Sequence, residues 1–213
     1  MAFWRCAHAA VALGVGWLAL VTFVKALRGA WDSNDFPEML AVKVMEWPTI
    51  FPVHMVSGGF ALLLVPAAIA LARTRGHRII APLAALTVVV AAATSVPVAW
   101  ASPLTRWTAI GFTTQAVVWV ALLGLGLLGL WRGDVRRHRA CMLLMAAVTS
   151  GAMLFRVYLA LWVAFAGYAH FRTFYSCDAF FGWLTPLAGM ALWLQLDSRV
   201  RRAKSPDARA GCA

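Results

Sequence analysis

Long apolar runs separated by short charged segments constrain this chain more than any other feature. About 20 apolar residues, at about 1.5 Å of rise per residue, cross a hydrocarbon core of about 30 Å. Of the 213 residues, 62% are hydrophobic and only 13% are charged, against about 25% charged residues in a soluble domain. The runs predict six membrane helices, at about residues 6–26, 50–72, 79–101, 108–131, 140–166 and 178–196.

These runs predict the fold class and the domain organisation together. We expect an all-α, polytopic transmembrane helix bundle of about six spans, forming a single domain over residues 1–198. Residues 199–213 form a basic tail that we expect to be disordered and cytoplasmic, near anionic lipid. The first run could instead be a cleaved signal peptide, but its length and the nearby Lys25 and Arg28 favour a retained helix.

The distribution of lysine and arginine predicts how the bundle is oriented. Most of them lie at the N-terminus, in segments 73–78 and 132–139 and in the tail, whereas the alternate segments hold few. Positively charged segments stay in the cytoplasm. Both termini are therefore expected to be cytoplasmic, in a multi-pass protein of a bacterial plasma (inner) membrane.

The net charge of +11 does not indicate a nucleic-acid partner. The basic residues lie in short segments between apolar runs, which is their usual place in membrane proteins, so the expected partner is the lipid bilayer. The sequence has no Walker loop, no GxGxxG and no HExxH. An enzyme is therefore not the favoured class.

Arg156 is a charged residue in the middle of the fifth apolar run. Ionisable residues inside a membrane helix usually mark a functional site. Helix side chains lean toward the helix N-terminus, so Arg156 is expected to lean toward the membrane centre and to have an internal partner. We expect no Asp or Glu in any span interior; Asp178, at the predicted start of the last span, is the one acidic candidate.

Several other spans carry polar residues in the outer half of the membrane, at a depth similar to that of Arg156: Gln115, Ser57, Thr94, Ser95 and Thr185. Gln115 carries an amide oxygen that accepts what a guanidinium donates, and His54 lies at the outer start of the second span. This polar layer is either helix–helix contact or the lining of a pocket. In the pocket interpretation, Arg156, Gln115 and His54 bind a small or amphiphilic anion, such as an anionic lipid or a metabolite.

Three histidines on different helices suggest a cofactor. Paired histidines at one depth can hold a haem iron, and His77 and His138 both begin spans at the cytoplasmic side, with His54 a candidate on the outer side. Haem b is the cofactor that this arrangement would hold. The alternative is that interfacial histidines and arginines anchor helix ends; the candidate anchors are Arg78, Arg137 and Arg139.

An ordered set of motifs carries a family resemblance. The motifs are HMVSGGFALLLVP from His54, GHR at 76–78, WRGDVRRHRACM at 131–142 and FR at 155–156. Over roughly residues 50–165 the chain resembles the predicted bacterial membrane proteins catalogued as domain of unknown function 2306 (DUF2306). The resemblance implies a membrane protein without an assigned reaction, and it adds weight to His54, His77, His138, Arg139 and Arg156.

Three functions follow as alternatives. The first is a membrane protein that binds an anion around Arg156, as a sensor, a carrier or an accessory subunit. The second is a b-type haem electron-transfer protein that uses the paired histidines. The third is a structural or assembly scaffold, in which the same residues only anchor helices.

Overall fold

Six long α-helices account for most of the chain. The computed structural model describes residues 2–32, 45–101 and 104–203, with side chains for 13–32, 45–101 and 104–199. The helices are α1 (Ala2–Trp31), α2 (Ile50–Ala70), α3 (His77–Trp100), α4 (Arg106–Trp131), α5 (Val135–Ala166) and α6 (Phe171–Ala203). All six are long and apolar enough to cross a membrane, and the described residues include no strand. The predicted six-span helical bundle is confirmed.

The beginning of α6 differs from the prediction. Gly167 and His170 have positive φ angles of 59° and 51°. This conformation ends α5 at Ala166, because glycine adopts it without steric cost, and a short turn then leads into α6 at Phe171. Asp178 therefore lies about two turns inside a helix that spans the membrane. The expectation that no acidic residue lies in a span interior is wrong.

The other end of α6 extends beyond the predicted span. The helix continues to Ala203, so the first residues of the predicted tail belong to it. Residues 204–213, where the rest of the predicted tail lies, are outside the described residues.

Consecutive helices pack side by side. Helices α2 to α5 contact one another in chain order, α2 also touches α5, α1 packs on α2, and α6 packs on both α4 and α5. The central apolar cluster joins α2, α3, α4 and α5; its buried members are Ala61, Val65, Ala68, Ala84, Val88, Leu123 and Met145. Many large apolar side chains point outward instead, including Leu125, Leu127 and Phe165, as expected of a surface that faces lipid.

Glycines bring α6 close to its two neighbours. A Cβ added at Gly151 of α5 would lie 2.7 Å from Cβ of Trp183, and one added at Gly111 of α4 would lie 2.9 Å from the carbonyl oxygen of Ala179. Small residues at helix interfaces allow such close backbone approach in membranes. The position of α6 is thus fixed by backbone contact near the polar residues described below.

Candidate functional site

Arg156 lies half-buried on α5. Its Nη1 donates a hydrogen bond of 2.7 Å to the carbonyl oxygen of Ala152, one turn toward the helix N-terminus. The predicted lean is therefore confirmed, and the protein partner is a backbone carbonyl. A guanidinium has several further N–H donors in a planar fork. None of its nitrogens is among the buried, unbonded polar atoms of the described residues, so the donors left over are accessible.

Gln115 reaches α5 two turns before Arg156 and one turn before the acceptor of Arg156, Ala152. Its Nε2 donates a long hydrogen bond of 3.4 Å to the carbonyl oxygen of Val148. Val148, Ala152 and Arg156 follow one another at intervals of four residues, so they share one face of α5, with about 6 Å of rise between successive members. The structure brings Gln115 close to the acceptor of Arg156, but no bond joins the two side chains directly.

A second α4–α5 contact lies beside Gln115. Nε1 of Trp119 donates to Oγ1 of Thr149 at 2.9 Å, and Thr149 in turn donates to the carbonyl oxygen of Met145 at 2.8 Å. This chain of bonds fixes the register of α4 against α5. Because of that register, the amide of Gln115 is held on the face of α5 that carries Arg156.

Tyr175 and Asp178 of α6 complete the polar group. The ring of Tyr175 is buried and meets Phe155 edge to face, with centroids 5.0 Å apart. Its phenol lies within electrostatic range of both Arg156 and Asp178. Tyr175 was not among the predicted site residues, because the predicted last span began at Asp178. A helix that starts at Phe171 would have placed both residues on one face, three positions apart.

Asp178 is a buried carboxyl group. Only 2% of its surface is exposed, and within the part of the chain that the structure describes neither carboxyl oxygen has a hydrogen-bond partner. Asp178 is therefore not the ion-pair partner of Arg156. The chain holds a guanidinium and a carboxyl in neighbouring helices without pairing them.

His54 belongs to a different contact. Its Nδ1 donates to the carbonyl oxygen of Ala91 on α3 at 3.1 Å, and Oγ1 of Thr94 lies 3.4 Å from the same nitrogen. These bonds connect α2 to α3, whereas Arg156 and Gln115 both bond to backbone carbonyls of α5. No hydrogen bond joins His54 to Arg156 in the described residues, so a shared ligand site for the two remains a prediction.

His77 and His138 make equivalent contacts in two helical hairpins. Each lies in the first turn of its helix, just after the connection from the preceding helix. Each Nδ1 lies 2.9 Å from a carbonyl oxygen near the end of that preceding helix, which is Ala68 for His77 and Gly126 for His138. A carbonyl only accepts, so Nδ1 carries the proton and Nε2 of the neutral ring has the lone pair. Among the described residues no group of three or more His, Cys, Asp and Glu could hold a metal ion.

The arginines beside these histidines are exposed. Arg78, Arg137 and Arg139 all lie at the surface, near the starts of α3 and α5. The backbone N–H of Arg137 donates to the carboxylate of Asp134, which caps α5 at 2.9 Å. Their role as membrane-interface anchors stays a prediction.

Two shallow grooves lie next to α6. One, of about 460 Å³, is formed by the first turns of α4 and α6 and includes Thr105, Ser176 and Cys177; the other, of about 380 Å³, runs between α5 and α6 past Ser150 and Pro186. Arg156 lines neither of these grooves. A ligand of Arg156 would therefore meet the guanidinium outside these two grooves.

Comparison with known proteins gives one match. The family described as "Predicted membrane protein (DUF2306)" matches residues 51–194, a range that runs from α2 into α6 and includes Arg156, Gln115 and Asp178. No curated protein and no solved structure matches the chain. With more than half of its length matched, this membrane protein belongs to the DUF2306 family.

Proposed function

We propose that this multi-pass membrane protein binds a small or amphiphilic anion at Arg156, with Gln115 assisting. The observation that carries the proposal is the hydrogen bonding of Arg156. Its guanidinium lies on a membrane-spanning helix, donates to the backbone carbonyl of Ala152, and is not paired with Asp178, whose oxygens have no partner among the described residues.

An unpaired charge inside a membrane is costly, by at least about 2.5 kcal/mol for an arginine at the centre of a helix. An anion offsets this cost by supplying the counter-charge. The guanidinium fork matches a carboxylate or a phosphate in a bidentate arrangement. The proposed ligand is therefore a carboxylate or phosphate compound that enters the lipid phase, with an apolar part that lies along the exposed surface of the bundle.

Gln115 contributes a second polar group to the proposed site. One of its N–H groups is used in the bond to Val148, and the amide has another N–H that can reach an anion oxygen. The carbonyls of Val148 and Ala152 lie about 6 Å apart along α5. We expect the amide and the guanidinium, which contact α5 one turn apart, to bind the same carboxylate or phosphate group.

A binding assay with protein in lipid nanodiscs tests the proposal. The two probes are a fluorescent long-chain fatty carboxylate and a lysophosphatidate. We expect Arg156→Ala to weaken binding at least about tenfold, equivalent to about 1.4 kcal/mol, and Arg156→Lys to weaken it less, since an ammonium keeps the charge but loses the fork. Arg106→Ala is the matched control, because Arg106 is exposed at the start of α4. Equal affinities of Arg156→Ala and wild type would contradict the proposal.

The histidine tautomers favour a second candidate, a b-type haem protein. A metal-ligating histidine usually donates its other ring N–H to a carbonyl or carboxylate, and His77 and His138 both have this arrangement. A visible spectrum of protein purified from haem-replete cells tests the candidate. The candidate predicts a Soret band that is lost in His77→Ala or His138→Ala and retained in His170→Ala, because His170 is exposed; a spectrum without a Soret band excludes it.

The scaffold alternative makes the opposite predictions. It expects alanine at His54, His77, His138 and Arg156 to leave ligand binding and the visible spectrum unchanged. Only the stability of the bundle would respond, through the loss of the hydrogen bonds that these side chains make to backbone carbonyls.

A further inference from the structure

The carboxyl of Asp178 has no role in the anion site proposed above. Asp178 lies on the inward stripe of α6, with Tyr175 three residues before it and Gly182 four residues after it. Gly182 packs on Phe155 of α5: a Cβ added at Gly182 would lie 3.1 Å from the Cβ of Phe155. Ala179, the residue after Asp178, packs on Gly111 of α4. The carboxyl is thus enclosed at the junction of three helices, with 2% of the residue exposed.

An ionised carboxylate in this place would be strongly destabilised. Moving an ion of this size from water into the protein interior costs several kcal/mol even after relaxation, and a partner must offset that cost. Neither oxygen of Asp178 has a hydrogen-bond partner in the described residues. The carboxyl therefore needs a cation from outside the chain.

The geometry decides which cation fits. Calcium and magnesium need about six or more oxygen ligands, and the described residues hold no group of three or more His, Cys, Asp and Glu that could bind a metal. Both oxygens are sealed from the surface, which leaves no room for an ammonium group. A proton needs neither space nor further ligands.

On the helices that pack against Asp178, few charged or titratable groups lie close to it. The basic residues 136–139 are at the opposite end of α5, Arg172 of α6 donates to the carbonyl oxygen of Leu104, and Cys177 is exposed. Tyr175 is on α6 itself, and its phenol is within electrostatic range of both Asp178 and Arg156. Helix α5 contributes Arg156 and Tyr158, the latter 3.3 Å from the hydroxyl of Thr185. Helix α4 has one charged residue, Arg106, which is exposed at its first position. Tyr175 is therefore the group that connects Asp178 to Arg156.

We propose that Asp178 is a proton-binding site of the membrane domain, linked through Tyr175 to the ligand site at Arg156. The linked part rests on the proposed anion site, whereas the proton site does not. An anion at Arg156 cancels the positive charge of the guanidinium and adds negative charge beside Tyr175, whose phenol is within electrostatic range of Asp178. Neutral Asp178 avoids that repulsion, so binding of an anion favours the protonated carboxyl, and lower pH favours binding.

Infrared spectroscopy of the protein in lipid nanodiscs tests the proton site. We expect wild-type protein at neutral pH to show the C=O band of a protonated carboxyl, which shifts in D₂O and is absent in Asp178→Asn. Asp134→Asn is the matched control, because Asp134 is an exposed helix cap that Asn replaces well. The band must survive in this variant.

Two results would overturn the proton site: a wild-type spectrum without a protonated-carboxyl band, or the same band in Asp178→Asn. The wild-type spectrum decides the first point even if the variant does not fold. Measuring the affinity for the fatty carboxylate over roughly pH 5 to 9 then tests the link between protonation of Asp178 and anion binding. We expect wild-type protein to bind several-fold more tightly at the acidic end. The affinity of Asp178→Asn should not change with pH. A band without any anion binding would leave the proton site standing and refute the anion site alone.

Discussion

The contact between Gly151 of α5 and Trp183 of α6 gives the sharpest test of the bundle. A Cβ added at Gly151 would lie 2.7 Å from Cβ and 2.8 Å from Cα of Trp183. Carbon atoms pack at about 3.5–4.0 Å, so Gly151→Ala must push α5 and α6 apart by about 1 Å. The obstacle is partly backbone, so no side-chain rotation can relieve it.

The matched control is Gly124→Ala on α4. An added Cβ at Gly124 meets nothing within 4 Å. Replacing a helical glycine with alanine stabilises a helix by roughly 0.5–1 kcal/mol, and this gain is common to both variants. Overpacking costs about 1–3 kcal/mol and applies only at Gly151. We therefore expect Gly151→Ala to be about 1–3 kcal/mol less stable than Gly124→Ala.

Sodium dodecyl sulfate unfolds purified membrane proteins in mixed micelles, and far-ultraviolet circular dichroism follows the loss of helix. This assay measures the difference in the free energy of unfolding between the two variants. The same displacement moves Tyr175 away from Arg156, so Gly151→Ala should also bind the fatty carboxylate more weakly than Gly124→Ala does. If Gly151→Ala is as stable as Gly124→Ala, the packing of α6 described above is incorrect.

Three further predictions address the caps, the hairpins and the orientation. Asp134→Ala should lower the free energy of unfolding by about 1 kcal/mol, measured in the same micelles, whereas Asp134→Asn should be nearly neutral. His138→Phe should cost about 1 kcal/mol in the same assay, because the carbonyl of Gly126 loses its donor; no loss would show that the bond does not stabilise the hairpin. In intact cells, a membrane-impermeant maleimide should label a Tyr168→Cys variant, because Tyr168 is exposed in the turn before α6, and should reach Cys212 only after permeabilisation. The reverse pattern would contradict the charge-based orientation.

Much of the architecture was predictable because the signals for it are local. Apolar runs of membrane length predicted all six helices. The lean of helical side chains predicted that Arg156 points toward the N-terminus of its helix, where it bonds to Ala152. The boundary of α6 was not predictable in this way. It depends on positive φ angles at Gly167 and His170, and the polar sequence before Asp178 resembles a loop.

The arrangement of the polar residues was only partly predictable. Gln115 was expected near Arg156 from its depth, and its contact on α5 lies two turns before Arg156 and one turn before the acceptor Ala152. His54 was grouped with them as a polar residue at the outer start of its span, although its ring bonds to α3. Which helices touch, and which residues of α6 face α5, depends on close glycine contacts such as Gly111 with Ala179, and these have no signature in a single sequence.

The paired contacts of His77 and His138 bear on how this protein is made. Each histidine bonds to a carbonyl only 9 or 12 residues earlier in the chain, so each bond can form as soon as its own two helices have left the ribosome. We expect α2–α3 and α4–α5 to enter the bilayer as two preformed hairpins. Helix α6 would dock after these two hairpins have assembled, and its docking brings Tyr175 and Asp178 against α4 and α5.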